Sequence, residues 1–337
     1  MHVPITINNR DIKLKNEEFH SFTFKELGIQ ESDIEEFLSD NLQLLVDEEE
    51  TLLLIGQQIQ NTQRGRSDLV AIDNQGNLVL IEIKRDVEDI RNRKEPFEFQ
   101  AIRYAANYAK INNIDDVINK IYAPYLEKKG KVTHEALTSS EQARRMINEF
   151  LTDNDAMRNF NKKQRIILVA SQFDEQTLSA CAWLINNHVD ITCITVEPKK
   201  FKDQFFLEVV RLLPVPSLDD FYVEVGNTAS PSQMRLSTSK ISKRSLPKMP
   251  QLFEWGIMQP NQEIYIKKYP AQKAKVVDEN TVIYQDKTMS YNEFGKKVTG
   301  WSSLSVYEWL VVEGQTQTLH ELRLEKLEKI NQLENQV

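Results

Sequence analysis

The sequence of 337 residues predicts an α/β protein with a mixed central sheet flanked by helices, followed by a small α+β domain. Residues 65–85 read as two apolar strands joined by a short polar turn, which makes an antiparallel hairpin. Residues 165–196 read as strand, helix and strand, and such a crossover favours parallel pairing. A stretch rich in Ser, Thr and Lys then separates a second set of short strands, which predicts a further domain.

With about 150 residues per domain as a prior, the chain has room for two domains. We expect an α/β domain over 1–225, a linker over 226–247, an α+β domain over 248–325 and a C-terminal amphipathic helix over 319–337.

Local patterns predict the elements of the first domain. Residues 32–45 read as a helix, with Ser32 as N-cap and Glu35 completing a capping box. A helix that includes Pro96 is expected to break there, because proline lacks the backbone N–H that a helix needs. The remaining elements expected are a strand at 51–59, helices within 89–110 and 111–163, strands at 165–170 and 190–196, and a helix at 177–187.

The second domain is expected to contain short strands and two helices. The strands are expected at 263–267, 274–277 and 281–284, and the helices at 291–299 and 319–333.

Composition excludes several classes of protein. The chain is 40% hydrophobic and 27% charged, as in ordinary globular proteins, and has no apolar run near the ~20 residues that span a bilayer. The first residues lack the basic and then apolar pattern of a secretory signal. Cys181 and Cys193 are the only cysteines, so we expect no disulfide framework and a cytoplasmic location. No membrane partner is expected.

Charge is unevenly distributed along the chain. The net charge of −8 argues against binding nucleic acid over the whole surface. Residues 1–60 carry four Lys and Arg against thirteen acidic residues, whereas residues 240–310 carry eleven against seven. Because local patches decide contacts with phosphates, the second half is the expected docking surface.

The turn of the hairpin sets its register. Residues 74–76 fit a three-residue loop, in which Gly76 takes the left-handed conformation. Counting back along both strands then places Asp68 opposite Glu82. A loop of two or four residues would put Asp68 on the other face of the sheet.

Charged residues at the end of this hairpin indicate a site. Side chains alternate along a strand, so Glu82 and Lys84 share a face with Asp68 while Ile83 points to the opposite face. Buried charges are costly unless they are paired or bind a metal. Two carboxylates and a lysine in this arrangement suit a divalent cation and a phosphodiester.

The combination of Asp68, Glu82 and Lys84 resembles the D…E-x-K motif of the PD-(D/E)XK nucleases, with Ser67 in place of the usual proline. The resemblance implies a restriction-endonuclease-like core over about residues 1–220. It also implies Mg²⁺ or Mn²⁺ as cofactor, held by Asp68, Glu82 and the carbonyl of Ile83. Lys84 would lie near the attacking water or the scissile phosphate. The alternative for Lys84 is an ordinary Lys–Glu pair at a strand edge.

Two further residues resemble the NucS-like subgroup of this family. Glu35 matches a helix glutamate at the metal site, and Gln100, in the sequence QAIRYAA, matches a glutamine near the catalytic centre. The alternatives are an exposed helix acid or Glu36 for the first, and a solvent-facing polar residue for the second. Tyr104 is expected to serve packing.

Basic residues flank the predicted site. Arg64, Arg66 and Arg85 are expected to contact phosphates, against the alternative of ordinary surface arginines.

The C-terminal part resembles a RAMA-type module over about 70 residues. Thr299, Gly300, Trp301, Ser302 and Trp309 carry the resemblance, with Tyr307 in place of an earlier aromatic residue. The resemblance implies recognition of DNA, including modified bases.

Base stacking and phosphate contacts are the functional roles considered for this module. A small domain needs large aromatic residues for its own core, so core packing is the favoured role for Trp255, Trp301, Tyr307 and Trp309, and Trp301 is the best candidate for an exposed ring that stacks on a base. Lys267 and Lys268, with Lys273 and Lys275, would form a ridge facing phosphates or a solvated face.

The sequence therefore predicts a metal-dependent DNA endonuclease with a DNA-reading module, in restriction or phage defence. The alternatives are a DNA-binding adaptor that does not cut and a structure-specific repair nuclease. The sequence leaves a homodimer, and RNA in place of DNA, open.

Overall fold

The computed structural model describes residues 5–8, 10–14, 20–60, 65–131, 137–215 and 246–334. The chain forms two compact units, unit 1 from Met1–Leu45 and Leu52–Val215, and unit 2 from Val46–Thr51 and Pro216–Val337. Residues 226–245 of the predicted linker, and Arg64, lie outside the described residues.

A mixed seven-stranded sheet forms the centre of unit 1. Strands β1 (Ile5–Asn8) and β2 (Asp11–Leu14) form a separate pair. The sheet contains β3 (His20–Ser21), β4 (Leu52–Gln60), β5 (Arg66–Asp73), β6 (Leu78–Ile83), β7 (Gln164–Ala170), β8 (Ile191–Phe201) and β9 (Gln204–Leu213). Its order is β3-β8-β7-β6-β5-β4, with β9 paired to β8. Strands β6, β7 and β8 are parallel and the other pairs antiparallel, so the predicted mixed sheet is confirmed.

Helices flank this sheet. They are α1 (Glu31–Asp40), α2 (Val87–Arg91), α3 (Phe97–Tyr108), α4 (Ile114–Val117), α5 (Ala123–Lys128), α6 (Ser139–Asp153) and α7 (Glu175–Asn186). Helix α1 packs against β5 and β6, α3 against β6 and β7, and α7 against β8. The expected break at Pro96 is confirmed, because Pro96 is the N-cap of α3.

The start of α1 differs from the prediction. Gln30, and not Ser32, is the N-cap, and the carboxylate of Asp33 accepts a hydrogen bond from the Gln30 backbone N–H at 2.8 Å. The capping box therefore lies two residues earlier than expected, since Asp33 takes the place predicted for Glu35. This shift brings Glu31 into the helix, four residues before Glu35.

The hairpin of β5 and β6 has the predicted register. Leu69 pairs with Ile81, and Ile72 with Leu78. Gly76 has a φ of 86° and donates its N–H to the carbonyl of Asp73 at 2.9 Å, as the three-residue loop requires. Strands β5 and β6 are almost completely buried within the sheet, which explains their nearly continuous apolar sequences.

Unit 2 contains a five-stranded antiparallel sheet in the order β13-β12-β11-β10-β14. Its strands are β10 (Glu263–Ile266), β11 (Tyr269–Val276), β12 (Thr281–Tyr284), β13 (Lys287–Ser290) and β14 (Leu310–Val312). Its helices are α8 (Met249–Glu254), α9 (Tyr291–Thr299), α10 (Val306–Trp309) and α11 (Leu319–Glu334). The expected strands and the helices at 291–299 and 319–333 are present, whereas β13 and β14 were not predicted.

The segment Val46–Thr51 belongs to unit 2 although it lies between α1 and β4 in the chain. Both carboxylate oxygens of Glu49 accept hydrogen bonds at 2.8 Å from the guanidinium of Arg323 in α11. Both side chains are buried. The Tyr307 hydroxyl donates to Glu48 at 2.8 Å, and Thr51 accepts a hydrogen bond from the backbone of Ser305. Glu49 and Arg323 thus form a buried ion pair with two parallel hydrogen bonds.

No helix in the described parts of the chain is long and apolar enough to cross a membrane.

Candidate functional site

The predicted site residues of the hairpin meet where β6 ends. The observed register, continued by one pair, sets Asp68 opposite Glu82. Asp68 Oδ2 accepts a hydrogen bond of 2.8 Å from the backbone N–H of Ile83. Ile83 is fully buried and Asp68 is 4% exposed. The hairpin therefore brings both carboxylates to one place.

Glu82 is a buried acceptor that is only partly satisfied. Its Oε2 accepts a hydrogen bond of 3.2 Å from Nε2 of Gln100, whereas its Oε1 is buried with no hydrogen-bond partner among the described residues. Burial raises the pKa of Glu82 well above its usual value, and the negative charge of Asp68 adds to the effect.

Asp68 shows the same tendency. Burial raises its pKa to about 6, against the lowering effects of the Lys84 charge and of the hydrogen bond from Ile83. Two buried carboxylates that repel each other need either a proton or a cation. The pair with Glu82 therefore favours the binding of positive charge.

Lys84 lies buried beside these acids at 3% exposure. Its Nζ donates a hydrogen bond of 2.8 Å to Oε1 of Glu31 and another to the carbonyl oxygen of Ile83. The ammonium also lies 5.6 Å from the ring centre of Phe97. Its observed partner in α1 is Glu31, which the sequence did not predict.

Helix α1 contributes two carboxylates to the site. One oxygen each from Glu31, Glu35 and Asp68 lie within 4.8 Å of one another. Glu31 and Glu35 are four residues apart and therefore share a helix face. Had the helix start been placed correctly, this spacing would have identified Glu31 from the sequence.

The structure distinguishes Glu35 from its neighbour Glu36. Glu35 is buried and accepts a hydrogen bond of 2.9 Å from Gln58, and its burial raises its pKa. Glu36 instead pairs with Lys129 at 2.6 Å. Of the two alternatives left open by the sequence, Glu35 is the residue that faces the site.

Gln100 and Tyr104 support the site from α3. Gln100 lies 3.4 Å from the Tyr104 hydroxyl as well as 3.2 Å from Glu82. The Tyr104 hydroxyl accepts a hydrogen bond of 3.1 Å from the backbone N–H of Arg66. Gln100 is buried rather than solvent-facing, and Tyr104 combines packing with a polar contact.

The arginines near the site differ in their surroundings. Arg66 is exposed, and its charge acts on Glu35. Arg85 is instead held by Asp89 at 3.1 Å and lies 3.5 Å from Asp86. Arg93, which the sequence did not single out, contributes a positive charge that lowers the pKa of Glu82.

The residues predicted for DNA contact in unit 2 divide into two groups. Lys267 and Lys268 are exposed. Trp301 is only 6% exposed and packs edge-on against Trp309, with ring centres 4.8 Å apart. The expectation that Trp301 is an exposed ring is therefore wrong, because the small sheet uses this tryptophan for its own core.

The donor set at the site fits a hard divalent cation. Carboxylate oxygens from Glu31, Glu35 and Asp68 cluster closely, and Glu82 offers a buried oxygen without a donor. Oxygen ligands of this kind are those that Mg²⁺ and Mn²⁺ prefer. Comparison with protein-family models, with curated proteins and with solved structures finds no match for this chain.

Proposed function

We propose that this protein is a metal-dependent nuclease that hydrolyses phosphodiester bonds in DNA. The observation that supports this most is the convergence of Asp68, Glu82 and Lys84 at the end of one hairpin, together with the carboxylates of α1. The resemblance of this hairpin to PD-(D/E)XK nucleases, and hence to a restriction-endonuclease-like core, gives the arrangement its chemical interpretation.

The residues present would hold Mg²⁺ or Mn²⁺ through Asp68, Glu82, Glu35 and the carbonyl of Ile83, with Glu31 beside them. When bound, such a cation supplies positive charge for the phosphate and increases the acidity of water. Gln100 fixes the Glu82 carboxylate by its hydrogen bond.

Lys84 is the side-chain cation of the proposed mechanism. Its ammonium now contacts Glu31 and the Ile83 carbonyl, within reach of the carboxylate cluster. From this position Lys84 can donate a hydrogen bond to a phosphate oxygen or orient the attacking water. The positive charge would offset the negative charge that develops on the phosphate.

Unit 2 is proposed to bind DNA through the exposed lysines Lys267 and Lys268. The RAMA-type resemblance supports this assignment and implies a setting in restriction or phage defence. Because Trp301 is buried in the core of the unit, base recognition is not assigned to it.

The direct test is cleavage of closed circular and linear DNA by the full chain with Mg²⁺ or Mn²⁺. We expect Asp68→Asn and Lys84→Gln each to reduce cleavage by at least ~100-fold, with chelator stopping the wild type. Glu35→Gln should weaken Mn²⁺ binding, measured calorimetrically, whereas the matched neighbour Glu36→Gln should not. Equal cleavage by wild type and Lys84→Gln would remove the assignment.

A further inference from the structure

A second cavity lies beside the proposed nuclease site in unit 1. Its volume is about 520 Å³, and it is lined by residues within 90–98, which follow β6, and by residues 174–177 at the start of α7, which follows β7. Strands β6 and β7 are parallel neighbours. Open α/β sheets characteristically bind ligands outside the carboxyl ends of their strands.

Three cations line this cavity without an ion-pair partner among the described residues. They are Arg91, Arg93 and Lys94, and none has a hydrogen bond or ion pair with a residue that the structure describes. The Nη1 atom of Arg93 is buried with no hydrogen-bond partner among those residues. By contrast, Arg85 and Arg103 on adjacent segments are both ion-paired. A buried donor without a partner is costly, so an anionic ligand would stabilise this wall.

The cavity adjoins the proposed nuclease site. Phe97 lines it, and the ring centre of Phe97 lies 5.6 Å from the ammonium of Lys84. A phosphate bound in the cavity would therefore lie close to the carboxylates, but in a separate compartment.

The acids of the cavity limit what can bind. Asp174 is engaged as the N-cap of α7, where it accepts hydrogen bonds from the backbone and hydroxyl of Thr177. Glu175 is exposed, whereas Glu98 is buried and its Oε2, like Nη1 of Arg93, has no hydrogen-bond partner among the described residues. These carboxylates would repel several consecutive phosphates of a DNA backbone, whereas a single phosphate can still contact the three cations. The volume falls within the ~300–1,000 Å³ of small-ligand sites, which accommodates the end of a strand.

We propose that this cavity, the end pocket, binds the phosphomonoester at the end of a DNA strand through Arg91, Arg93 and Lys94. The inference rests on the proposed nuclease function and adds recognition of strand ends to it. A terminal phosphate carries more negative charge than an internal diester and can use all three cations, whereas the acids disfavour continuous backbone.

The test compares hairpin oligonucleotides that differ only in a 5′-phosphate, a 3′-phosphate or no phosphate, with binding measured by anisotropy in chelator. We expect one phosphorylated end to bind at least tenfold more tightly than the hydroxyl end. Arg91→Gln/Arg93→Gln/Lys94→Gln should lose this preference. The control Lys110→Gln/Lys128→Gln, which removes two exposed lysines from other elements, should keep it.

Equal binding of all three ends by the wild type would overturn the inference, as would a preference that survives in a folded triple variant. Competition by a nucleoside monophosphate as strong as by the phosphorylated hairpin would also overturn it, because the pocket would then be a mononucleotide site. Wild-type cleavage of closed circular and linear DNA with Mg²⁺ or Mn²⁺ tests the nuclease separately. A failure of cleavage alone sinks the proposed function, and a loss of end preference alone sinks the end pocket.

Discussion

At the scale of single residues, the contacts of Lys84 differ from those that its sequence motif predicts. The sequence suggested a lysine next to Glu82, whereas its ammonium contacts Glu31 and the carbonyl of Ile83. Glu31 also belongs to the carboxylate cluster with Glu35 and Asp68. Lys84 and any cation held by this cluster would therefore share Glu31 as a partner.

Protonation of Asp68 gives a prediction for the metal-free protein. Its pKa is raised by burial from 3.8 to about 6, so the folded state holds a proton that the unfolded state has lost between these values. The contribution of Asp68 to stability therefore falls as pH rises from 4 to 6, by on the order of 3 kcal/mol. In chelator at pH 8, Asp68→Asn should be more stable than wild type.

Urea unfolding at pH 4 and pH 8 measures this difference in the free energy of unfolding. At pH 4 the wild-type carboxyl is largely protonated, and asparagine can still accept the hydrogen bond from the Ile83 N–H, so the two proteins should then be nearly equal. A gap of the same size at both pH values would contradict the pKa assignment.

What the sequence revealed about individual residues depended on spacing. Asp68, Glu82 and Lys84 were identifiable because strand alternation and a recognisable turn fix their common face. Glu31 was missed because the helix was started two residues late. Arg93 lies in the connection between α2 and α3, where no periodicity predicts the direction of a side chain.

At the scale of elements, the turn at Gly76 determines the register that brings the carboxylates together. Gly76 has a φ of 86°, and an added Cβ would lie 2.9 Å from the backbone oxygen of Ala156. Gly130 has a similar φ of 60° but nothing within 4 Å of its Cβ position. An alanine at Gly130 would therefore introduce backbone strain alone, whereas an alanine at Gly76 would introduce both strain and a steric contact.

We expect Gly130→Ala to cost about 1 kcal/mol of the free energy of unfolding, which is the strain of the left-handed conformation. Gly76→Ala should cost at least about 2 kcal/mol, because the oxygen of Ala156 must also move. Equilibrium unfolding in urea measures both. Equal losses would show that the approach to Ala156 is not limiting.

The elements that the sequence predicted were those with strong burial patterns. Strands β5, β6, β7 and the start of β8 are apolar runs in the middle of the sheet. Strand β9 was missed because its residues are exposed or half-buried throughout, which leaves no alternation to detect. Strand β14 has only three residues, too few to show a period, and β13 carries a single apolar residue, Met289, between exposed positions.

At the scale of the whole molecule, the buried pair of Glu49 and Arg323 joins distant parts of the sequence. Burial alone would raise the pKa of Glu49, but the hydrogen bonds and charge of Arg323 outweigh it and lower the pKa. Removal of one member of such a pair typically costs about 3–5 kcal/mol, because the other charge stays buried and unpaired.

Arg323→Met should therefore destabilise the protein by up to that amount, because Glu49 keeps its ion pair with Lys248 at 3.2 Å. The double variant Glu49→Gln/Arg323→Met should recover part of the loss, since no fully buried charge is then left unpaired and the side chain of Lys248 is partly exposed. The control is Lys329→Met, which removes an exposed ion pair with Glu325 on the same helix and should cost below about 1 kcal/mol. Equal unfolding free energies for both single variants would show that the buried pair contributes little.

That Val46–Thr51 belongs to unit 2 could not be predicted from the sequence. The four consecutive acidic residues at 47–50 have the composition of a solvated turn between a helix and a strand. Their true surroundings depend on Arg323 and Tyr307, more than 250 residues further along the chain. Pattern recognition within a window cannot detect such a partner.

This arrangement has a consequence for protein engineering. A fusion protein that carries only residues 246–334 would lack the segment Val46–Thr51. Within that segment, Glu49 pairs with Arg323 and Glu48 accepts the hydrogen bond from the Tyr307 hydroxyl. A fusion that keeps these contacts must include both the short segment Val46–Thr51 and the long C-terminal segment. Domain recombination therefore preserves these contacts only where both segments are transferred together.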